Sequence, residues 1–365
     1  MVKNVTMIRL TKRNKLCLGI FLAFILYIFG VFTHLFELDY YENFEYPLDI
    51  NLTDCIEGYK HGEPCTTLPI NNYNFPFISK CEQKCASYNE KEQIQVVYMV
   101  KSALRHFDRR KAIRQSWGYE RRFSDVPIVT VFVLGYAPED KELQKEIEAE
   151  QKKFGDIVQA KFIDTYYNNT IKTMIGFKWA ANYCKHSKFY LFADDDFYVS
   201  TRNVLRFIRN PLQYPEYLEL PIETIQIRNN ILDYELPPHV KLFSGFVFVS
   251  SPHRHYTSKW YISLDEYPYH LWPPYVTAGA YIVSKEVLLD FYFASHFIKH
   301  FRFDDIYLGI LAKKSNIEPF HCEEFYFYKK DYSRHNYQYV IASHGYSDPD
   351  ELLRIWNEQR SLGNA

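Results

Sequence analysis

The sequence has almost no net charge with which to attract a partner: 43 Lys and Arg against 44 Asp and Glu leave a formal charge of -1. Beyond the N-terminus there is no run of Lys and Arg interleaved with aromatics. These absences exclude nucleic acid or any broadly anionic partner, while a phosphate-bearing small molecule needs only a few local cations. No internal repeat stands out at the periods of solenoid proteins. Cysteine is scarce, at seven residues, and Cys81-x-x-x-Cys85 has no His or Cys pair nearby to complete a metal knuckle, so disulfide bonding is expected instead. What the chain does have is apolar mass: 47% hydrophobic and 18% aromatic residues over 365 positions, enough for one large core.

The longest apolar run is Leu16 to Thr33, "LCLGIFLAFILYIFGVFT", which carries no charge and with the following "HLF" reaches membrane-spanning length. Lys3, Arg9, Lys12, Arg13 and Lys15 precede it, and Glu37, Asp39, Glu42 and Glu45 follow. The spacing predicts a cytosolic tail over 1–15, a signal anchor over 16–36 and a lumenal or extracellular remainder. A cleaved signal peptide would be shorter and end in small residues, which "GVFTHLF" does not supply. Cys17 falls in the anchor, and Cys55, Cys65, Cys81, Cys85, Cys184 and Cys322 follow in a disulfide-permissive compartment. Six thiols allow fifteen pairings, and the sequence does not choose among them. Asn51-Leu-Thr53 and Asn168-Asn-Thr170 are sequons that this topology makes usable, whereas Asn4-Val-Thr6 would be cytosolic.

Residues 37–93, rich in Asn, Pro, Tyr and acids, read as a stem, and the folded domain is expected over 94–365. There "IQVVYMV", "VPIVTVFVLG" and "KFYLFA" read as buried strands alternating with helices, which favours an α/β sheet. "DKELQKEIEAEQKKF" sets Leu143, Ile147 and Phe154 on one face of a solvated helix.

"KFYLFADDDFYVS" puts Asp194, Asp195 and Asp196 at the C-terminal end of a strand, where α/β folds bind ligands. Asp194 and Asp196 share a side-chain direction if the strand continues, a pairing suited to a hard divalent cation gripping phosphate. A polar turn of solvated acids is an equal reading of the triplet alone. Arg109, Arg110 and Arg114 in "RRKAIRQSWG" are in helical phase, either to meet a diphosphate or as a basic surface.

These stretches, with "FIDTYYNNTIKT", "WPPYVTAGAYIVS" and "FRFDDIYLG", follow the order and approximate spacing of the β-1,3-galactosyltransferase family, which the sequence resembles over about residues 94–357. The family also includes β-1,3-N-acetylglucosaminyltransferases and Brainiac-type enzymes. The resemblance implies a GT-A type α/β fold, a single-pass type II Golgi membrane protein and an inverting transfer from a UDP-sugar to a glycolipid or glycoprotein glycan. Galactose is the expected sugar, with N-acetylglucosamine or N-acetylgalactosamine as runner-up; a catalytically idle lumenal chaperone or a lectin is the alternative class. Manganese, or magnesium in its place, is implied at Asp194, Asp196 and His344, with an ordinary surface histidine as the other reading of His344. Asp305 matches the family's catalytic base, although the residues alone favour a helix N-cap before "IYLGILAKK". Ser102, Arg110, Arg114, Asp164, Lys172 and Asp195 are the implied donor-site residues. Trp272, Tyr275 and Gly279 are the acceptor-site expectation, against a bland reading as packed core. Asp304 stands where the family usually has Glu, Val276 where many members have Cys, and Ser116 where Thr is frequent.

Overall fold

The computed structural model describes residues 11–50, 52–63, 65, 67–219, 236–237 and 239–365. It divides into two compact units, one drawn from residues before 46 together with Val249–Trp272, the other from Tyr46–Phe248 and Pro273–Ala365.

In the smaller unit the helix expected over 16–36 covers Lys12–Ile28 instead, opened by Thr11, whose hydroxyl accepts from the Asn14 amide. It stops because Gly30 turns into the left-handed region, at φ 73°, where an added Cβ would sit 2.4 Å from the Arg254 carbonyl oxygen. A separate 3-10 turn, Thr33–Phe36, follows. Among the described residues no helix is long and apolar enough to cross a membrane. Arg254 holds this unit together: its buried guanidinium pairs with Glu37 at 2.7 Å and donates to the carbonyls of Ile262, Ser263, Tyr267 and Tyr269.

The larger unit is a mixed α/β sheet. Its strands are β1 (Phe77–Ser79), β2 (Ile94–Lys101), β3 (Ile128–Tyr136), β4 (Ile157–Ile163), β5 (Ser187–Asp194), β6 (Phe197–Val199), β7 (Phe243–Phe248), β8 (Tyr275–Ser284), β9 (Phe320–His321), β10 (Phe325–Tyr326) and β11 (Ala342–His344). The main sheet runs β1-β4-β3-β2-β5-β8-β7-β9, and a smaller sheet runs β10-β11-β6. The centre, β4-β3-β2-β5, is parallel, and β8 lies antiparallel to β5. Such strands are covered on both faces, which is why "IQVVYMV" and "KFYLFA" are apolar without alternation.

Val96, Tyr98 and Val100 of β2 join one core layer with Ala112, Ile113, Ile355 and Trp356 from helices Phe107–Gln115 and Pro349–Ser361. On the opposite face Phe192 stacks between Phe177 and Tyr281, at 4.7 and 5.1 Å. Parallel pairing of β2 with β5 sets Lys101 beside Asp194, so the strands deliver their polar residues to one edge.

The region expected as a stem contributes more than a tether. Tyr46, Leu52, Ile56 and Tyr73 are buried, and β1 pairs antiparallel with β4 at the sheet edge. Disulfides join Cys55 to Cys65 and Cys85 to Cys184. Cys81 and Cys322 are buried free thiols, contrary to the expectation that all six downstream cysteines pair. The Cys81 thiol donates to the Ile157 carbonyl, whereas Cys85, four residues on, meets Cys184.

Cys85–Cys184 spans 99 residues and ties the segment before β2 to the end of helix Asn169–Tyr183. Replacing both cysteines by Ala should lower unfolding stability by about 2–5 kcal/mol. Cys81→Ala should leave both disulfides intact by thiol counting, and denaturant unfolding of the two variants checks the pair of outcomes.

Candidate active site

β2 ends in a cation. Lys101 is buried, and its Nζ lies 3.1 Å from Asp194 Oδ1 and 2.9 Å from Asp304 Oδ2. Thr173, on helix Asn169–Tyr183, donates its hydroxyl to the same Asp304 oxygen at 3.0 Å. Burial alone would lower the Lys101 pKa, but Asp194 and Asp304 override it and hold the ammonium above its ordinary value. The contact joins β2, β5 and helix Asp304–Lys314 at one point.

That helix begins after Phe303, whose side chain makes no capping bond, so Asp304 and Asp305 occupy its first turn and neither is the N-cap. Asp304 faces inward to Lys101. Asp305 is partly exposed and accepts from the next amide, Ile306, at 2.8 Å. Burial first, then the adjacent Asp304 charge, raises the Asp305 carboxyl well above the ordinary carboxylate range. A base benefits from that shift, since its proton affinity then approaches neutrality.

The acidic triplet divides into three. Asp194 gives an oxygen to Lys101 while 39% of its side chain stays open. The surrounding protein still penalises its charge and, against the pull of Lys101, lifts its carboxyl to about 6. Asp195 is buried and accepts from Ser102 Oγ at 2.7 Å, His106 Nδ1 at 2.8 Å and Arg109 at 3.0 Å. Burial would raise this carboxyl, but the bonds from His106 and Ser102 hold it below its usual value. Asp195 therefore fixes the loop after β2. Asp196 turns toward the smaller sheet. Antiparallel pairing of β11 with β6 brings His344 beside it, Nε2 to Oδ2 3.3 Å, with side-chain exposures of 44% and 22%. The Asp196 hydrogen bond raises the His344 pKa, partly opposed by burial. Among the described residues no group of three or more His, Cys, Asp or Glu is arranged to hold a metal.

Several expected donor-site residues are engaged within the protein. Arg110, fully buried, spends its donors on Glu150, Ser102 Oγ and the carbonyls of Ala103 and Leu104. Arg114 pairs with Glu150 and Asp156, each at 2.7 Å. Neither guanidinium reaches the carboxylates above; Arg109 does, through Asp195. Lys172 bridges Asp164 and the Ser102 carbonyl, at 2.7 Å each, and Asp164 accepts from Gly135 N. Ser102, Asp164, Lys172 and Asp195 thus form one network supporting the loop after β2.

On the acceptor side, Gly279 serves a neighbour: an added Cβ would stand 2.6 Å from the Phe197 ring. Tyr275 opens β8, partly exposed, and stacks on Phe248 at 5.8 Å. Trp272 belongs to the smaller unit, where it is buried and packs on Tyr267 at 4.0 Å. Asn168 precedes helix Asn169–Tyr183 and donates to the Ile163 carbonyl, with Thr170 of its sequon buried; Asn51 lies outside the described residues. Val276 is buried against Gly245, and the Ser116 hydroxyl donates to the Ala112 carbonyl.

Lys101, Thr173 and His106 were not expected. Lys101 carried a signal, a lone cation closing an apolar strand; Thr173 and His106 carried none. A cavity of about 590 Å³ lies at the other end of the sheet, among Gln95, Pro127, Lys188, Arg206 and Lys285, and contains none of these carboxylates.

The galactosyltransferase family profile matches residues 108–323. The chain is 41% identical over 339 residues to Drosophila melanogaster "Beta-1,3-galactosyltransferase brn", covering 92% of each chain. It is 32% identical over 295 residues to Homo sapiens "Beta-1,3-galactosyltransferase 1", covering 81% of this chain and 82% of that one. A solved glycosyltransferase "involved in the glycosylation of the major capsid of PBCV-1" overlays 72% of this chain and 98% of its own with a TM-score of 0.33 and 9% identity, a likeness too weak to carry an argument. With a family match across more than half its length, over the span that holds the acidic triplet and Asp305, this chain belongs to the galactosyltransferase family.

Proposed function

We propose that this protein transfers galactose from UDP-galactose to a sugar hydroxyl, forming a β-1,3 linkage with inversion, on a GT-A type scaffold. The observation that carries this reading is the Lys101 bridge, which joins the Asp305 helix to the strand that ends in the triplet. The relatives' names support galactose over an N-acetylhexosamine. In the reaction the acceptor oxygen attacks the anomeric carbon, its proton passes to an Asp305 oxygen, and the bond from that carbon to the diphosphate oxygen breaks to release UDP. Asp305 acts as general base. Asp195, with Ser102 and Arg109, keeps the donor-side loop in place.

Asp196 and His344 fit a divalent cation: an oxygen and a nitrogen donor close together and both open to solvent, leaving coordination for diphosphate oxygens. Manganese, with magnesium as substitute, would supply Lewis-acid neutralisation of the leaving group there. Asp194 is the reserve ligand.

The charge asymmetry about the apolar run supports a type II anchor in the Golgi membrane with the larger unit lumenal, acting on glycolipid or glycoprotein glycans.

Asp305→Asn should cut turnover by roughly two to four orders of magnitude with UDP affinity and unfolding midpoint kept. Asp304→Asn should instead lower the midpoint, because it removes a buried partner of Lys101, at a cost of up to about 3–5 kcal/mol. Initial rates at saturating substrates, beside melting curves, separate the two roles. Near-normal turnover in Asp305→Asn rejects the base.

Excess chelator should abolish transfer and manganese should restore it, while Asp196→Ala should fold and remain inactive at any manganese concentration. Full activity in chelator rejects the metal role.

Alkaline carbonate should leave the full chain in the membrane pellet and release a chain lacking residues 1–36. Release of both rejects the anchor.

A further inference from the structure

We infer that Phe246, Phe248, Tyr275 and Phe327 form a subsite for a second pyranose of the acceptor, the ring next to the one being glycosylated. The inference rests on Asp305 being the base of a glycosyl transfer.

Past a register shift between Gly245 and Val247 the rings of Phe246 and Phe248 meet on β7, while Phe243 packs on Phe291 at 5.1 Å. The two rings are 5.0 Å apart, and Phe327 lies over both, at 4.7 and 4.9 Å. Register pairs Phe248 with Tyr275, whose ring stacks 27° from parallel. This cluster is not closed over: Phe327 is 41% exposed, its neighbour Tyr328 50%, and Phe246, Phe248 and Tyr275 are half-buried. A cluster of large aromatics that rests on the core through Phe246 and stays open at Phe327 marks a binding surface.

Its position ties it to the chemistry. Ala193 pairs with Ala280, so Tyr275 lies beyond the level of Asp194 by about 13 Å of antiparallel strand. From the other side, Gly309 abuts it: an added Cβ there would stand 2.6 Å from Tyr275 Cβ and 3.1 Å from the Pro274 carbonyl oxygen. Gly309 is four residues after Asp305, one turn along the same helix face, a separation of about 5–6 Å. The helix that carries the base therefore packs, one turn beyond Asp305, against the strand that carries Tyr275.

The rim decides the occupant. Beside Phe327 stand the phenols of Tyr328 and Tyr326, 5.1 and 5.7 Å along the ring chain, then Lys330 over Tyr326 at 4.1 Å and Glu324. Apolar rings tilted 56° to 68° from one another around Phe327, edged by hydroxyl, ammonium and carboxylate, match a pyranose, whose C–H face packs on a single ring and whose hydroxyls meet the rim. An acyl chain would need a continuous apolar groove, which this rim interrupts.

The test uses the full-length protein, UDP-galactose, and methyl β-glycosides of the common hexoses paired with their β-1,4-linked disaccharides. Phe327→Ala, at an exposed ring, and Phe248→Ala should raise KM for accepted disaccharides at least about fivefold. KM for the matching monosaccharide and for UDP-galactose should stay unchanged, and Phe327→Trp should restore disaccharide KM. An unchanged disaccharide KM, or an equal rise for mono- and disaccharide, overturns the subsite. A loss confined to a lipid-linked form of the same disaccharide, assayed alongside the methyl glycosides, assigns the wall to lipid and overturns it too. If the wild type transfers from no UDP-sugar, the proposed function has failed; calorimetric titration of the same disaccharides then decides the subsite, which requires weaker binding by Phe327→Ala than by wild type.

Discussion

A single buried ammonium sets the geometry of this protein. Removing Lys101 from water is costly, and the cost is offset only while both Asp194 and Asp304 stay within 3.1 Å. Those partners come from different elements, the end of β5 and the start of helix Asp304–Lys314, and Thr173 adds a third. Each satisfies a need of the others, so the strand end and the helix start have one mutual arrangement. Asp196 and Asp305 inherit that arrangement because each is one or two residues from a fixed partner.

This explains why three consecutive acids are tolerated. They are not a pool of equivalent ligands. Asp194 meets a buried cation, Asp195 meets Ser102, His106 and Arg109, and Asp196 turns to His344. The chain leaves strand geometry after Asp194, which lets successive side chains reach three surroundings where a continued strand would offer only two directions. The directions of the pKa shifts follow: Asp194 is raised and Asp195 lowered, though they are adjacent.

Much of this was legible. An apolar strand closing in acids puts them at a sheet edge, and the ordered motifs around it name the family. Pairing choices were not legible. Arg110 and Arg114 look like phosphate ligands by helical phase, but Glu150 and Asp156, some 40 residues away, face them across the core. Gly279 reads as an opening for a sugar, yet the missing side chain admits Phe197. Cys81 and Cys85 look equivalent in sequence, and a left-handed residue at Cys81 sends the two thiols different ways. Helix Lys12–Ile28 shows the same limit, since hydropathy does not report where Gly30 breaks the run. In each case long-range partners or local backbone, neither carried by residue type, made the choice.

The charge balance of the site bears on its chemistry. Asp194, Asp195, Asp196, Asp304 and Asp305 gather five carboxylates around two permanent cations, Lys101 and Arg109. Such an excess repels a diphosphate, and it shows in the carboxyls even against the pull of Lys101: after burial, Asp304 helps raise both Asp305 and Asp194. On the proposed reading, a divalent cation held by Asp196 and His344 would offset that repulsion. Asp305, separated from the triplet by Lys101, keeps a raised proton affinity. One ammonium thus divides an acidic cluster into a half suited to metal and leaving group and a half suited to taking a proton.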